Sequence, residues 1–77
     1  MKLSLSYDLV LKPSWTCEDI MNALDCSRSE AFKIKERAIK EHNGIVPYSR
    51  AYVTSDSVLA LFGTSREKEF KLLKYGR

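Results

Sequence analysis

The sequence predicts one small α+β domain with about three short helices, a small antiparallel sheet and a charged C-terminal helix. Three observations predict it: two capped amphipathic helices separated by a short break, two short β-prone segments flanking a loop, and an alternating N-terminal segment. A chain of 77 residues has apolar surface for only one core, so we expect a single domain over residues 1–77.

The N-terminal segment 1–13 is predicted to be a strand. Apolar side chains occupy alternate positions from Leu3 to Leu11, and a period of two is typical of a half-buried strand. Pro13 ends this strand because proline has no N–H to donate to a strand ladder. We expect the strand to join the sheet as a third strand, or to pair with another chain through its free edge.

The segment 16–42 is predicted to contain two helices. Thr16, followed by Asp19 three residues later, indicates the capped start of the first helix. Its apolar residues fall on one stripe: Cys17, Ile20, Met21 and Leu24.

The second helix is predicted to begin after a brief break at Asp25-Cys26. Ser27 and Glu30 form a capping box there, and Asn43-Gly44 supplies a left-handed stop after His42. Steps of 100° per residue define an inner and an outer face. The inner face holds Ala31, Ile34, Ala38, Ile39 and His42; the outer face holds Ser29, Lys33, Glu36, Arg37 and Lys40.

The rest of the chain is predicted to form a wing and two further helices. The wing is a β-hairpin over 44–54, in which Ile45-Val46 and Tyr52-Val53 flank a five-residue loop. A third helix covers 55–63, and 64–77 form the charged helical tail.

Positive charge is concentrated after Ser27. The chain carries 13 Lys and Arg against 10 Asp and Glu, for a formal charge of +3. Acidic residues outnumber basic ones before residue 28, and basic residues outnumber acidic ones after it. This distribution suits a surface that faces a polyanion.

Several function classes are not expected. Cys17 and Cys26 have no metal-motif spacing and only His42 to assist them, so we expect no metal and no cofactor. No nucleophile has an evident base and orienting group, and an enzyme is therefore not expected. Without a signal segment or a long apolar run, the protein is expected in the cytoplasm, with free thiols and no membrane partner.

Three segments then carry a resemblance to a known group. They read Trp15-Thr-Cys-Glu-Asp-Ile-Met21, Cys26-Ser-Arg-Ser-Glu-Ala-Phe32 and Val53-Thr-Ser-Asp-Ser-Val-Leu-Ala-Leu-Phe62. Over residues 15–63 the chain resembles small winged helix-turn-helix DNA-binding proteins of the excisionase and MerR-like kind, common on phages and other mobile elements. The resemblance implies a winged fold and a recognition helix that starts at the Ser-Arg-Ser turn. Asp25 stands where that turn often has glycine, and aspartate tolerates left-handed geometry.

The first turn of the recognition helix is predicted to read DNA. Arg28 and Ser29 are placed to reach base edges, and arginine can bond guanine through O6 and N7. Ser27, as the N-cap, leaves amide groups for a phosphate.

Further basic residues are predicted to complete the DNA-binding surface. Lys33 is one turn on and within reach of a base or a phosphate, while Arg37 and Lys40 are expected to neutralise phosphates. Arg50, at the tip of the wing, is expected to enter the minor groove or to touch the backbone. The competing interpretation is an ordinary solvated helix face. Phe32 and Trp15 are assigned mainly to the core, with a sugar-phosphate contact and a stacking role as their alternatives.

The predicted function is sequence-specific binding of double-stranded DNA, as an excisionase-like factor or a transcriptional regulator. Further partners considered are a recombinase, a replication protein and a second copy of the chain. The alternative function is a protein-interaction module or a single-stranded-DNA-binding accessory of a recombination or replication complex.

Overall fold

The computed structural model describes residues 3, 5–47, 49 and 51–76. Within these ranges it is a small α+β structure with five helices and a two-stranded antiparallel sheet, which confirms the predicted class at that level. The elements in chain order are α1 (Tyr7–Leu11), β1 (Ser14–Trp15), α2 (Cys17–Leu24), α3 (Arg28–His42), β2 (Val53–Thr54), α4 (Ser55–Ala60) and α5 (Arg66–Tyr75).

The predicted N-terminal strand is wrong, because Tyr7–Leu11 form helix α1. The Ser6 hydroxyl caps this helix by accepting from the Leu9 N–H at 3.3 Å. Val10, which the alternating pattern placed outside, is buried, and Leu11 is 58% exposed. Packing against α5 decides the conformation here and overrides the local pattern: the Tyr7 ring meets Phe70 edge-on at 5.8 Å.

Both predicted capping boxes are present. The Thr16 N–H donates to Asp19 at 3.1 Å while Thr16 Oγ1 accepts from the Asp19 N–H at 3.2 Å. Ser27 and Glu30 make the equivalent pair of bonds, each at 3.3 Å. Asp25 adopts the left-handed conformation, with φ 50° and ψ 54°, at the C-terminal end of α2. Three residues, 25–27, therefore join two well-capped helices.

The sheet differs in detail from the predicted wing. β2 pairs with β1 in the register Ser14↔Thr54 and Trp15↔Val53, so the partner of β2 lies just beyond the predicted strand 1–13. Within the predicted wing, 44–54, the described residues show one isolated bridge, Ile45↔Val53, and no strand at Ile45-Val46. Of its loop, Tyr48 and Arg50 lie outside the described residues.

The core lies between α2, α3, α4 and the sheet. Its centre is Trp15, which is fully buried and donates from Nε1 to the Leu9 carbonyl oxygen at 2.9 Å. Trp15 thus belongs to the core, as predicted. The other buried apolar members are Ile20, Ala23, Leu24, Ala31, Ile34, Ala38, Val53, Val58 and Leu59.

The last two helices lie close to their predicted positions. α4 ends at Ala60 and is followed by a turn that closes at Gly63, whose φ is 73°. The Ser65 hydroxyl caps α5 by accepting from the Lys68 N–H at 3.2 Å. No helix in the described part of the chain is both long enough and apolar enough to span a membrane.

Candidate nucleic-acid interface

One face of α3 is buried and the opposite face is open to solvent. Ala31, Ile34 and Ala38 turn inward, where α3 packs against α2, α4 and β2. The six predicted site residues that lie within the described ranges are all exposed on the helix or at its cap: Ser27, Arg28, Ser29, Lys33, Arg37 and Lys40. The seventh, Arg50, lies outside the described residues.

The start of α3 is fixed by hydrogen bonds between Ser27 and Glu30. The Ser27 hydroxyl accepts from the Glu30 N–H and donates to the Glu30 carboxylate at 3.0 Å. The carboxylate also accepts from the Ser27 N–H. The hydrogen bond from the Ser27 N–H lowers the pKa of Glu30 the most, and the bond from the Ser27 hydroxyl lowers it further.

This cap is the surrounding in which a phosphate contact at Ser27 was predicted. A helix N-terminus favours an anion because its first N–H groups lack intrahelical partners. Here the Glu30 carboxylate already occupies the cap, and its charge opposes a phosphate at the same point. Ser27, Arg28 and Ser29 are all exposed at this turn, and the phosphate contact at Ser27 stays a prediction.

The cations farther along α3 differ in their surroundings. Arg37 donates from Nε to Glu41 Oε2 at 2.9 Å, an i,i+4 pair between two exposed side chains. The bond raises the pKa of Arg37 and lowers that of Glu41. Lys33 and Lys40 make no ion pair with any described residue. Their charges are therefore available to an anionic ligand, whereas Arg37 is shared with its neighbour.

A shallow cleft lies beside the first half of α3. Its volume is about 290 Å³, and its lining brings together α3, the start of α2 and the wing loop: Thr16, Cys17, Glu18, Arg28, Lys35 and Ala51. Lys35 was not selected from the sequence. Lys35 lies seven residues, or two helical turns, after Arg28, so both side chains are on one side of α3. This spacing could have identified it from the sequence. Ala51 thus lies close to Arg28, in the first turn of α3.

Two α3 residues are more exposed than their predicted positions suggest. Phe32, assigned mainly to the core, is 52% exposed, and His42, placed on the inner face, is exposed. The buried stripe of α3 is narrow, since only Ala31, Ile34 and Ala38 are buried. Side chains at its edges therefore extend into solvent.

The cysteines form no site with other metal-ligating residues. Both are free and half-buried, and burial raises the pKa of the Cys26 thiol, with Glu30 and Asp25 adding to the effect. Among the described residues, no three His, Cys, Asp or Glu side chains are grouped so that they could hold a metal ion.

Comparisons of the chain with protein-family models, with curated proteins and with solved structures found no match.

Proposed function

We propose that this protein binds double-stranded DNA as a winged helix-turn-helix protein, with α3 in the major groove. The observation that carries the proposal is the open face of α3. It has Arg28 and Ser29 in its capped first turn and the unpaired cations Lys33 and Lys40 one to three turns on.

The dimensions of α3 support this placement. Its 15 residues give a length of about 22 Å at 1.5 Å per residue, and the major groove of B-DNA is about 12 Å wide, which admits an α-helix. α2 contacts α3 extensively and is joined to it through the left-handed Asp25. α2 thus braces α3, as the first helix of a helix-turn-helix does.

In this arrangement each exposed side chain has a chemical role. The Arg28 guanidinium bonds the O6 and N7 of a guanine, and Ser29 bonds a neighbouring base edge. Lys33 reaches a base or a phosphate, and Arg37 and Lys40 neutralise phosphates along the groove.

The wing contributes a second contact in the proposal. Ala51 lines the same cleft as Arg28 and Lys35. This part of the loop after Val46 therefore lies beside the first turns of α3, which we assign to the bases. Arg50 belongs to this loop in sequence, and we assign it the minor groove or the flanking backbone. The biological role that fits these contacts is an excisionase-like factor or a transcriptional regulator acting on cytoplasmic DNA.

The test is binding to a random-sequence duplex library, followed by anisotropy titrations of the selected duplex and of its separate strands over a salt series. We expect a selected consensus, preference for the duplex and a steep fall in affinity with salt. Loss of a bidentate guanine contact costs about 1–3 kcal/mol, so Arg28→Ala should weaken binding to the consensus duplex about 5- to 150-fold.

Lys68→Ala is the matched control. Lys68 is an exposed cation on α5, and its removal changes the net charge by the same amount as the loss of Arg28. If Arg28→Ala and Lys68→Ala weaken binding equally, α3 is not the reading element. Tighter binding to the separate strands than to the duplex would favour the single-stranded alternative, and no binding to either would reject DNA binding.

A further inference from the structure

Phe32 presents a large apolar side chain on the open surface of α3. It is 52% exposed, and its ring makes no aromatic contact with another described residue. A solvated helix face ordinarily carries polar side chains. Phe32 is the one large apolar side chain on the exposed surface of α3, whose residues are all described. A ligand that covers the open face of α3 in the proposed complex would therefore meet this ring.

The neighbours of Phe32 indicate what covers it. Residues three and four positions away share its side of the helix; these are Arg28, Ser29, Lys35 and Glu36. Glu36 is an exposed carboxylate. The ring and the Glu36 carboxylate themselves offer a phosphate neither a hydrogen-bond donor nor a positive charge, although Arg28 and Lys35 lie beside them.

The same pair is well suited to base edges in the major groove. Thymine presents its 5-methyl group there, which apolar side chains contact, and cytosine presents an N4 amino group that a carboxylate accepts from. Arg28, at the i−4 position from Phe32, matches guanine by the same code. Two of the cations assigned to phosphates, Lys33 and Arg37, lie toward the far edge of the exposed face, while Lys40 lies one turn beyond Glu36.

We infer that Phe32 is a specificity-determining residue that contacts the 5-methyl group of a thymine in the bound duplex. This inference rests on the proposed placement of α3 in the major groove. It predicts that the recognised DNA sequence contains a thymine in addition to the guanine that Arg28 contacts.

The experiment replaces each thymine of the selected duplex in turn with deoxyuridine, which lacks only the 5-methyl group. Burial of one methyl-sized group is worth about 0.8 kcal/mol, so one replacement should weaken binding by the wild-type chain about fourfold. Phe32→Ala should bind the thymine and uracil duplexes equally.

Leu11→Ala is the matched control, because Leu11 is a comparably exposed apolar residue, 58% exposed, on α1. This variant should keep the fourfold preference for thymine. Circular dichroism of both variants reports whether the helices remain folded.

Three results would overturn the inference while leaving duplex binding intact. They are a consensus whose thymines are all insensitive to the replacement, a thymine preference that persists in Phe32→Ala, and an equal loss of affinity for both duplexes in Phe32→Ala. The last would mark a sugar or backbone contact. Absence of any duplex binding by the wild-type chain rejects the proposed function and this inference together.

Discussion

The guanidinium of Arg66 bonds the carbonyl oxygen of Val10, with Nε 2.8 Å from the oxygen. Its Nη2 reaches the carbonyl oxygen of Leu11 at 3.0 Å, and its backbone N–H donates to Asp56 Oδ1 at 3.1 Å. The last carbonyls of a helix lack intrahelical partners and favour a cation. Arg66, the first residue of α5, thus satisfies two carbonyl oxygens at the end of α1 and connects α1 to α4 and α5.

Replacing Arg66 with alanine should destabilise the protein by about 1.5–3 kcal/mol, since a hydrogen bond to a charged group contributes about that much. The side chain is 29% exposed, so solvent screening places the expected value in the lower half of this range. Urea unfolding followed by the fluorescence of Trp15, the single tryptophan, measures the change.

Arg66→Lys and Lys68→Ala complete the Arg66 series. Lysine carries the charge but lacks the planar fork that meets both carbonyls, so it should recover only part of the loss. Lys68→Ala removes an exposed cation from the same helix and should change stability little. Equal stabilities of Arg66→Ala and Lys68→Ala would show that the bonds to α1 contribute nothing.

The helices α2 and α3 could be predicted because their signals are local. A side-chain oxygen at the cap and a carboxylate three residues later satisfy the first N–H groups whatever the rest of the chain does. α1 could not be predicted in the same way. Its five residues alternate like a strand, and their helical form depends on contacts with Trp15, Arg66 and Phe70, which the local pattern does not contain.

In the candidate site, too, the features set by local sequence could be predicted and those set by non-local contacts could not. Exposure of Lys33 and Lys40 follows from the helical period. The neighbourhood of Arg28, Lys35 and Ala51 depends on where the wing loop returns to α3, a non-local contact. The exposure of Phe32 depends on how narrow the buried stripe is, which packing against α2 and α4 sets.

Gly44→Ala should destabilise the fold by overpacking. A Cβ at this position would lie 2.3 Å from Ser57 Oγ and 2.8 Å from Val53 Cγ2, and overpacking of a core typically costs about 1–3 kcal/mol. Ser57 cannot move freely because its hydroxyl donates to the Thr54 carbonyl oxygen at 2.6 Å. Thermal or urea unfolding measures the loss.

The double variant Gly44→Ala/Ser57→Ala identifies the source of the Gly44 effect. Removal of the hydroxyl relieves the shortest contact, so the double variant should be less destabilised than the two single losses added together. Strict additivity would show that the close approach to Ser57 is not what requires glycine.

Acid should weaken the cap of α3 through Glu30. The pKa of this carboxyl is lower in the folded chain than in the unfolded chain, because Ser27 donates to its charged form. The stabilisation is therefore fully present above the unfolded value of about 4.3 and is lost as the pH falls through the lower folded value. The urea midpoint of the wild-type chain should fall between about pH 5 and pH 3.

Glu30→Gln keeps an acceptor for the Ser27 N–H but does not titrate, so its midpoint should fall less over the same pH range. Glu36→Gln is the control, as Glu36 is an exposed carboxylate on the same helix and outside the cap. If the two variants show the same pH profile as each other, the Ser27–Glu30 bonds do not account for the acid sensitivity.

The pair Arg37–Glu41 should tune the salt dependence of the DNA binding proposed for α3. If Arg37 contacts a phosphate, Arg37→Ala lowers the slope of log affinity against log salt by about one. Glu41→Gln removes the negative charge that pairs with the Arg37 guanidinium at 2.9 Å. The affinity for DNA should therefore rise at low salt, and this increase should become smaller as the salt concentration rises. Anisotropy titrations over the salt series give both quantities.

Glu67→Gln is the matched control for Glu41→Gln, because Glu67 and Lys71 form an i,i+4 pair of the same kind on α5, at 3.4 Å. The two changes alter the net charge equally, so only a local effect separates them. Glu41→Gln should tighten binding more than Glu67→Gln in the wild-type background, and no more than Glu67→Gln once Arg37 is alanine. A gain from Glu41→Gln that persists without Arg37 would mean that Glu41 acts by repelling the DNA directly, and an unchanged salt slope in Arg37→Ala would remove Arg37 from the phosphate contacts.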